Sequence, residues 1–276
     1  MSRRIWLCAD DYGISPSVNR AIRDLIEKRR LNATSAMVVG PAIGRDEVNA
    51  LKQSADANPA CAIGLHVTLT APFRPLTMHF RPLEGGLFLP HTALLRRGLF
   101  GRIDRELVHT EVVEQLAAFA DLFGRAPDFV DGHQHAQIFP GVRSAFLAAV
   151  KQAAPKAWIR QCGRDLPWTQ RLNSPKALVL DILSTQFRTR AAREELAFNP
   201  AFAGAYDFSK AVDFGALMPR FLDAMPEGGV VMCHPGLVDD VLIGLDPFTH
   251  QREREYEFLR SEAFLPLLAA NDLTLG

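Results

Sequence analysis

Short apolar runs alternate with amphipathic stretches along most of this chain. The first run, residues 5–9, leads into Asp10, and a stretch with apolar residues at helical spacing follows it. Ser15 before Pro16 is a typical helix start, because serine caps the first turn and proline fits its first position. Repeated alternation of strands and helices predicts a parallel sheet with helical crossovers. We therefore predict an α/β fold, a single but irregular (β/α) barrel with mostly parallel strands.

The individual elements follow from the same pattern. Apolar runs predict strands at residues 5–9, 34–39, 61–68, 128–131, 157–161, 178–180 and 229–233. Helical spacing predicts one helix from Ser15 and others at 45–57, 105–123, 141–153, 190–197, 210–222 and 252–270. The Pro- and Gly-rich residues 71–89 are expected to form a loop over the active face. We find no repeat or linker, so we expect residues 1–276 to form one domain.

Two adjacent carboxylates, Asp10 and Asp11, end the first predicted strand. The carboxyl ends of parallel strands are where α/β folds place their chemistry. Neighbouring strand residues point to opposite faces, so we expect the two aspartates to have different roles. Carboxylates this close repel each other unless a cation or a shared proton intervenes. The pair indicates a metal site with a neighbouring base, and the alternative is a cap for the following turn.

Histidines mark three later strand ends. His66 lies in the third predicted strand, His133 and His135 follow Asp131, and His234 follows the last strand. A single histidine in an apolar strand is more often a core residue than a ligand. Asp131, His133 and His135 would share one face of an extended strand, which suits a metal site with an orienting carboxylate. Strand ends of a barrel converge on one rim, so the combined set predicts metal-assisted hydrolysis.

Composition and charge indicate what kind of protein this is and which partners it is expected to have. The chain is 48% hydrophobic and 22% charged, and its formal net charge is zero. This balance favours a globular protein and gives no reason to expect a nucleic-acid partner. The first apolar run is too short for a signal peptide or a membrane span, so we expect a cytoplasmic protein without a transmembrane segment. The four cysteines are widely spaced and are expected to be reduced.

Four motifs in this chain resemble those of the YdjC-like carbohydrate deacetylases, in the same order and at similar spacing. They are Asp10-Asp11-Tyr12-Gly13, Gly-Leu-His-Val-Thr-Leu-Thr at 64–70, Asp-Gly-His-Gln-His at 131–135 and Cys-His-Pro-Gly at 233–236. The resemblance implies a NodB/YdjC-like barrel that removes the N-acetyl group from an N-acetylglucosamine-type amino sugar. Pro-Gly-Val at 140–142 is closest to the branch associated with hopanoid biosynthesis. That branch implies a lipid-linked substrate, an N-acetylglucosaminyl hopanoid.

The resemblance also implies a role for each residue of the set. Asp11, His66 and His133 are expected to bind one divalent metal ion, Asp10 to act as the catalytic base, and His234 as the acid. Two imidazoles and one carboxylate suit zinc, whereas open water-filled positions would admit magnesium.

Several residues around this set remain open at the sequence level. His135 is an alternative ligand to His133. The family often has a third histidine where this chain has Gln137. This difference puts in doubt any substrate contact that the third histidine makes, but it should not abolish binding of the metal ion. Asp131 and Arg160 are candidates for a partner that orients the base or the acid, although for Arg160 we favour an ordinary surface or structural salt bridge.

Two other classes of function compete with deacetylation. A metal-dependent phosphohydrolase uses similar residues, but this chain has no glycine-rich phosphate cradle. A non-catalytic sugar-binding protein would need neither Asp10 nor His234. The expected partner is an amino sugar or a glycolipid, and a homodimer is left open. Residues 94–102 combine apolar and basic side chains; we weigh a lid or a peripheral membrane contact against a packed loop with solvated arginines, and favour the loop.

Overall fold

The computed structural model describes residues 2–163, 175–208, 210 and 212–276. Seven strands of the described chain form one sheet in the order β6-β5-β4-β3-β2-β8-β7. The pairs β2–β3, β2–β8, β4–β5, β5–β6 and β7–β8 are parallel. Their bounds are β2 Trp6–Tyr12, β3 Ala33–Ala36, β4 Ala62–Val67, β5 Phe129–Gly132, β6 Trp158–Ile159, β7 Phe202–Ala203 and β8 Val230–Cys233. Two further strands, β1 Arg3–Arg4 and β9 Leu273–Thr274, pair with each other. The predicted α/β fold with parallel strands is confirmed.

Helices connect most of these strands. They are α1 Pro16–Glu27, α2 Arg45–Asp56, α3 His91–Leu99, α4 Arg105–Phe123, α5 Arg143–Ala153, α6 Pro175–Arg193, α7 Phe214–Leu222, α8 Asp240–Leu245, α9 Thr249–Arg260 and α10 Phe264–Ala270. A 3₁₀ turn, His133–Ile138, follows β5. Ser15 caps α1 by accepting a hydrogen bond from the Val18 amide, as predicted. No helix of the described residues is long and apolar enough to cross a membrane.

The chain divides into two compact units, and one of them combines Met1–Gly64 with Pro200–Gly276. In this unit β2 lies between β3 and β8. The pairing of β2 with β3 shifts register between Ala9 and Tyr12, at the position of the two aspartates. Such an irregularity in a strand redirects the side chains next to it.

The other unit is Leu65–Asn199. Here β4 pairs with β5 so that His66 lies opposite Asp131. Asp104 caps the start of α4, and Gly124 ends this helix in the left-handed conformation that glycine adopts without strain. That residues 1–276 form a single domain stays a prediction.

Several predicted elements were wrong. Residues 178–180 belong to helix α6 and not to a strand, since a short apolar run does not distinguish a strand from a helix segment. The helix predicted at 190–197 is the end of α6, which stops at Arg193. The segment 252–270 forms two helices, α9 and α10. A packed loop was favoured at 94–102, but residues 91–99 form helix α3.

The predicted loop at 71–89 agrees with the structure, since these residues contain no helix or extended strand.

Candidate active site

Asp10 and Asp11 are both buried at the carboxyl end of β2, with 2% and 1% of their surface exposed. The Ser35 hydroxyl lies 3.4 Å from Asp10 Oδ1 and donates a hydrogen bond to it. Asp11 adopts a left-handed backbone conformation with φ of 67°, so its side chain leaves the regular alternation of the strand. The two carboxylates therefore have different surroundings, and that they have different roles stays a prediction.

Arg252 is a candidate site residue that the sequence analysis missed. It lies on α9, and its Nη2 donates to Asp11 Oδ2 and to Asp246 Oδ2, each at 2.6 Å. Burial opposes the charge of Arg252, but the two carboxylates outweigh burial and raise the pKa of the guanidinium above its ordinary value. The available signal was spacing: Arg252, Glu255 and Leu259 recur at helical intervals and are all buried.

His234 follows β8 and is only partly exposed. Its Nε2 lies 4.0 Å from Asp10 Oδ2, and its ring and the Phe208 ring form a T-shaped pair with their centroids 5.0 Å apart. Burial lowers the pKa of His234, although the nearby carboxylates of Asp11 and Asp10 act in the opposite direction. The neutral imidazole is therefore the favoured resting form at neutral pH.

A buried acid, Glu255, holds the backbone next to His234. The amide of His234 donates to one carboxylate oxygen of Glu255, and the Tyr206 hydroxyl donates to the other. Burial raises the pKa of Glu255 to about 7, against the effect of these two donors. Glu255 and Tyr206 were also missed; for Glu255 the only sequence signal is its helical spacing with Arg252 and Leu259.

In the Leu65–Asn199 unit, Asp131 joins His66 to Arg160. Asp131 Oδ1 is 2.6 Å from His66 Nδ1, and its Oδ2 is 2.5 Å from Arg160 Nη2. All three side chains are at most 1% exposed. The Asp131 contact favours a proton on Nδ1, which leaves Nε2 as the atom with a lone pair for a metal ion. For Arg160 we favoured a surface or structural salt bridge, and the structure has a structural one, because the ion pair with Asp131 is fully buried.

His133 lies beside His66, whereas His135 turns elsewhere. The rings of His133 and His66 meet edge to face at 5.5 Å, and Phe73 packs against His133 at 5.6 Å. The expectation that residues 131, 133 and 135 share one strand face was wrong, because β5 ends at Gly132 and the backbone of His135 is left-handed. His135 Nδ1 lies 3.4 Å from Cys162 Sγ instead.

Gln137 occupies the position where the resembling family often has a third histidine. Its Nε2 donates to the backbone oxygen of Arg160 at 3.2 Å and lies 3.4 Å from Cys162 Sγ. The side chain is 1% exposed. In this chain Gln137 therefore supports the backbone that carries Arg160.

Comparisons with known proteins extend over the whole chain. A family model described as YdjC-like protein matches residues 4–270. The chitooligosaccharide deacetylase of Serratia marcescens is 27% identical over 289 aligned residues, which cover 100% of this chain and 98% of that protein.

Two solved structures share the fold. A proposed cellobiose-phosphate cleavage protein from Enterococcus faecalis has a TM-score of 0.76 at 20% identity, over 100% of this chain and 97% of that chain. The lactam utilization protein from Thermus thermophilus has a TM-score of 0.53 at 14% identity, over 99% of this chain and 98% of that chain. At such low identity, these two matches establish a common architecture and nothing about activity.

Proposed function

Because the chain belongs to the YdjC-like protein family, we propose that it is a metal-dependent hydrolase that removes the N-acetyl group from an N-acetylglucosamine-type amino sugar. The observation that supports this proposal most directly is the buried hydrogen bond between His66 Nδ1 and Asp131 Oδ1, at 2.6 Å. A carboxylate behind a histidine is the usual support of a metal-ligating imidazole. The deacetylase activity of the Serratia marcescens relative supports the choice of substrate.

The proposed metal ligands are Asp11, His66 and His133. One carboxylate and two imidazoles form a donor set that fits a divalent ion such as zinc, and magnesium is the alternative. The tautomer that Asp131 favours for His66 fits this role, because it leaves the lone pair of Nε2 available to bind a metal ion. A bound ion would lower the pKa of its water and polarise the acetamide carbonyl.

Two further residues are proposed to move protons. Asp10 accepts a proton from the attacking water as oxygen adds to the acetamide carbon. His234 then gives a proton to the sugar nitrogen while the C–N bond breaks, so that acetate and a free amine leave. Since the lowered pKa of His234 favours its neutral form, His234 must gain this proton during the reaction. Asp10 is the adjacent proton source, with its Oδ2 4.0 Å from His234 Nε2.

Within this class we propose a lipid-linked substrate, an N-acetylglucosaminyl hopanoid. The support is the sequence Asp-Gly-His-Gln-His at 131–135 followed by Pro-Gly-Val at 140–142, which resembles the hopanoid-associated branch. The alternative proposal for the substrate is a free chitooligosaccharide. A cytoplasmic location stays a prediction.

Acetate release tests the proposal directly. The protein is incubated with chitooligosaccharides, N-acetylglucosamine and an N-acetylglucosaminyl hopanoid, in parallel with a panel of phosphoesters, and its metal content is measured. We expect acetate from at least one amino sugar, and loss of that acetate after complete chelation. Phosphate release without acetate would indicate a phosphohydrolase, and sugar binding without acetate would indicate a binding protein. Full activity after chelation would contradict the metal role.

A further inference from the structure

The end of α3 and the loop after it form a basic surface that the proposed reaction does not use. Arg96, Arg97, Phe100 and Arg102 line a cleft of about 400 Å³. Leu99 and Phe100 are 64% and 70% exposed, although both are large apolar side chains. We call these five residues the α3 surface; all lie in the Leu65–Asn199 unit.

The charge of this surface is one-sided. Among the residues that the structure describes, the charged side chains that line the cleft are those of three arginines. The nearest acids along the chain are Asp104 and Glu106, and the Asp104 carboxylate accepts the amides of Glu106 and Leu107 at the start of α4. A partner of complementary charge must therefore be anionic.

Positive charge also accumulates on the adjoining helix starts. Arg105 begins α4 and Arg143 begins α5. Burial lowers the pKa of Arg143, and the charges of Arg190 and Arg105 lower it further. Nη1 of Arg143 is buried without a hydrogen-bond partner. These arginines add to the positive charge of the Leu65–Asn199 unit.

We propose that the α3 surface docks on an anionic lipid membrane. Leu99 and Phe100 enter the boundary between headgroups and acyl chains, while Arg96, Arg97 and Arg102 bind lipid phosphates. A soluble anion would satisfy the arginines but would give Leu99 and Phe100 no apolar partner. A lipid surface offers both, and arginines beside exposed apolar side chains are typical of segments that lie in this interface. The inference concerns binding alone and does not depend on the proposed reaction.

Vesicle flotation tests this docking on the full chain. Wild-type protein is mixed with vesicles of phosphatidylcholine alone or of phosphatidylcholine with phosphatidylglycerol. We expect flotation with the anionic vesicles only, and weaker flotation as salt is added, because ions screen surface charge. Each arginine near an anionic surface contributes roughly fivefold to partitioning, so Arg96→Gln/Arg97→Gln should bind about 30-fold more weakly.

Two further variants separate this proposal from its alternatives. Phe100→Ser should weaken flotation while keeping all arginines. Arg29→Gln/Arg220→Gln removes the same charge from exposed positions outside the α3 surface and should float like wild type. Circular dichroism and thermal melting confirm that each variant is folded, and acetate release is measured separately. Equal binding to both vesicle types, no binding to either, or equal loss in the control variant would overturn the proposal. Inorganic polyphosphate that binds as tightly as the vesicles, with no effect of Phe100→Ser, would also overturn it.

Discussion

At the scale of single residues, the most informative contact is the one between Asp131 and His66. Both side chains are almost fully buried, and the strand register places them opposite each other. A buried histidine with one nitrogen bonded to a carboxylate has a fixed ring and a fixed tautomer. Its second nitrogen can then act only as an acceptor or a ligand. This residue pair makes a metal role for His66 testable without any substrate.

Replacing Asp131 by Asn should lower metal affinity. An amide in this position no longer favours the Nδ1–H tautomer of His66, and loss of such a supporting carboxylate costs about 10–100-fold in metal binding. The measurement is competition for zinc with a chelating dye, on protein whose fold is checked by circular dichroism. Asp128→Asn is the matched control, because Asp128 is an exposed aspartate just before β5 that pairs with Arg125. Unchanged zinc affinity in Asp131→Asn would contradict the role of His66 as a ligand.

Replacing Asp10 by Asn should separate metal binding from turnover. The amide cannot accept the proton of a water, and loss of a general base costs about 10²–10⁴-fold in rate. Asp11→Asn should instead weaken metal binding, since a neutral amide oxygen is a poorer ligand than a carboxylate. Zinc competition and acetate release are measured on both variants. If Asp10→Asn retained wild-type turnover, or if the two variants behaved alike, the proposed division of roles would be wrong.

At the scale of elements, the sequence could predict which strands carry chemistry but not how the chain turns after them. Apolar runs placed Asp10, His66 and His234 at strand ends, and the structure has strands there. The separation of His133 from His135 was not predictable, because it depends on left-handed residues in the turn after β5. Gln134 and His135 carry no residue-level sign of that conformation, which glycine would have given.

Helix α9 shows a second limit of sequence reasoning. Its buried side includes Arg252 and Glu255. Because these two residues are charged, the buried positions of the helix do not form the apolar stripe by which a core-facing helix is recognised in a sequence. A charged residue is usually exposed, and only a partner elsewhere in the fold changes this. Those partners, Asp11 and the amide of His234, come from distant parts of the chain. The helical spacing of Arg252 with Glu255 and Leu259 was the one sequence signal of its burial, and its pairing with Asp11 is visible only in the structure.

Glu255 in α9 should make stability depend on pH. Burial raises its pKa from the ordinary 4.5 to about 7 in the folded protein. Between these values the folded protein holds a proton that the unfolded chain has lost, so the contribution of Glu255 to stability falls as pH rises and is constant above this range. Glu255→Gln has no proton to lose and should flatten this part of the pH profile.

The check is the free energy of unfolding in urea at several pH values from about 4.5 to 8. Relative to wild type, Glu255→Gln should gain stability as pH rises. Glu257→Gln, an exposed substitution on the same helix, should follow the wild-type profile. Parallel pH profiles for wild type and Glu255→Gln would show that Glu255 does not titrate in this range.

At the scale of the whole molecule, one compact unit combines two segments that are far apart in sequence, Met1–Gly64 and Pro200–Gly276, and contacts between these segments stabilise it. Arg252 and Asp11 are 241 residues apart in sequence and form a buried ion pair. The order of elements predicted this parallel α/β fold, because strand and helix periods repeat regularly. The sequence could not predict the ion pair, since nothing local to either residue indicates the other.

Replacing Arg252 by Met should destabilise the fold. The substitution leaves Asp11 and Asp246 without their shared cation, and breaking a buried ion pair from one side costs about 3–5 kcal/mol. Urea unfolding measures this loss. Arg254→Met on the same helix removes an exposed arginine and should change stability by less than about 0.5 kcal/mol. Equal unfolding midpoints for the two variants would mean that Arg252 contributes no more than a surface charge.

The left-handed backbone of Asp11 restricts how this site can change over evolution or in the laboratory. Aspartate, asparagine, histidine and glycine are the residues found most often in this conformation, whereas β-branched side chains are strained in it. Exchanging Asp11 for a residue outside this group would therefore strain the backbone as well as change the ligand atom. His66 lies within a regular strand and has no such restriction. Attempts to alter the metal preference should begin at His66, since the backbone at Asp11 already limits the choice of ligand.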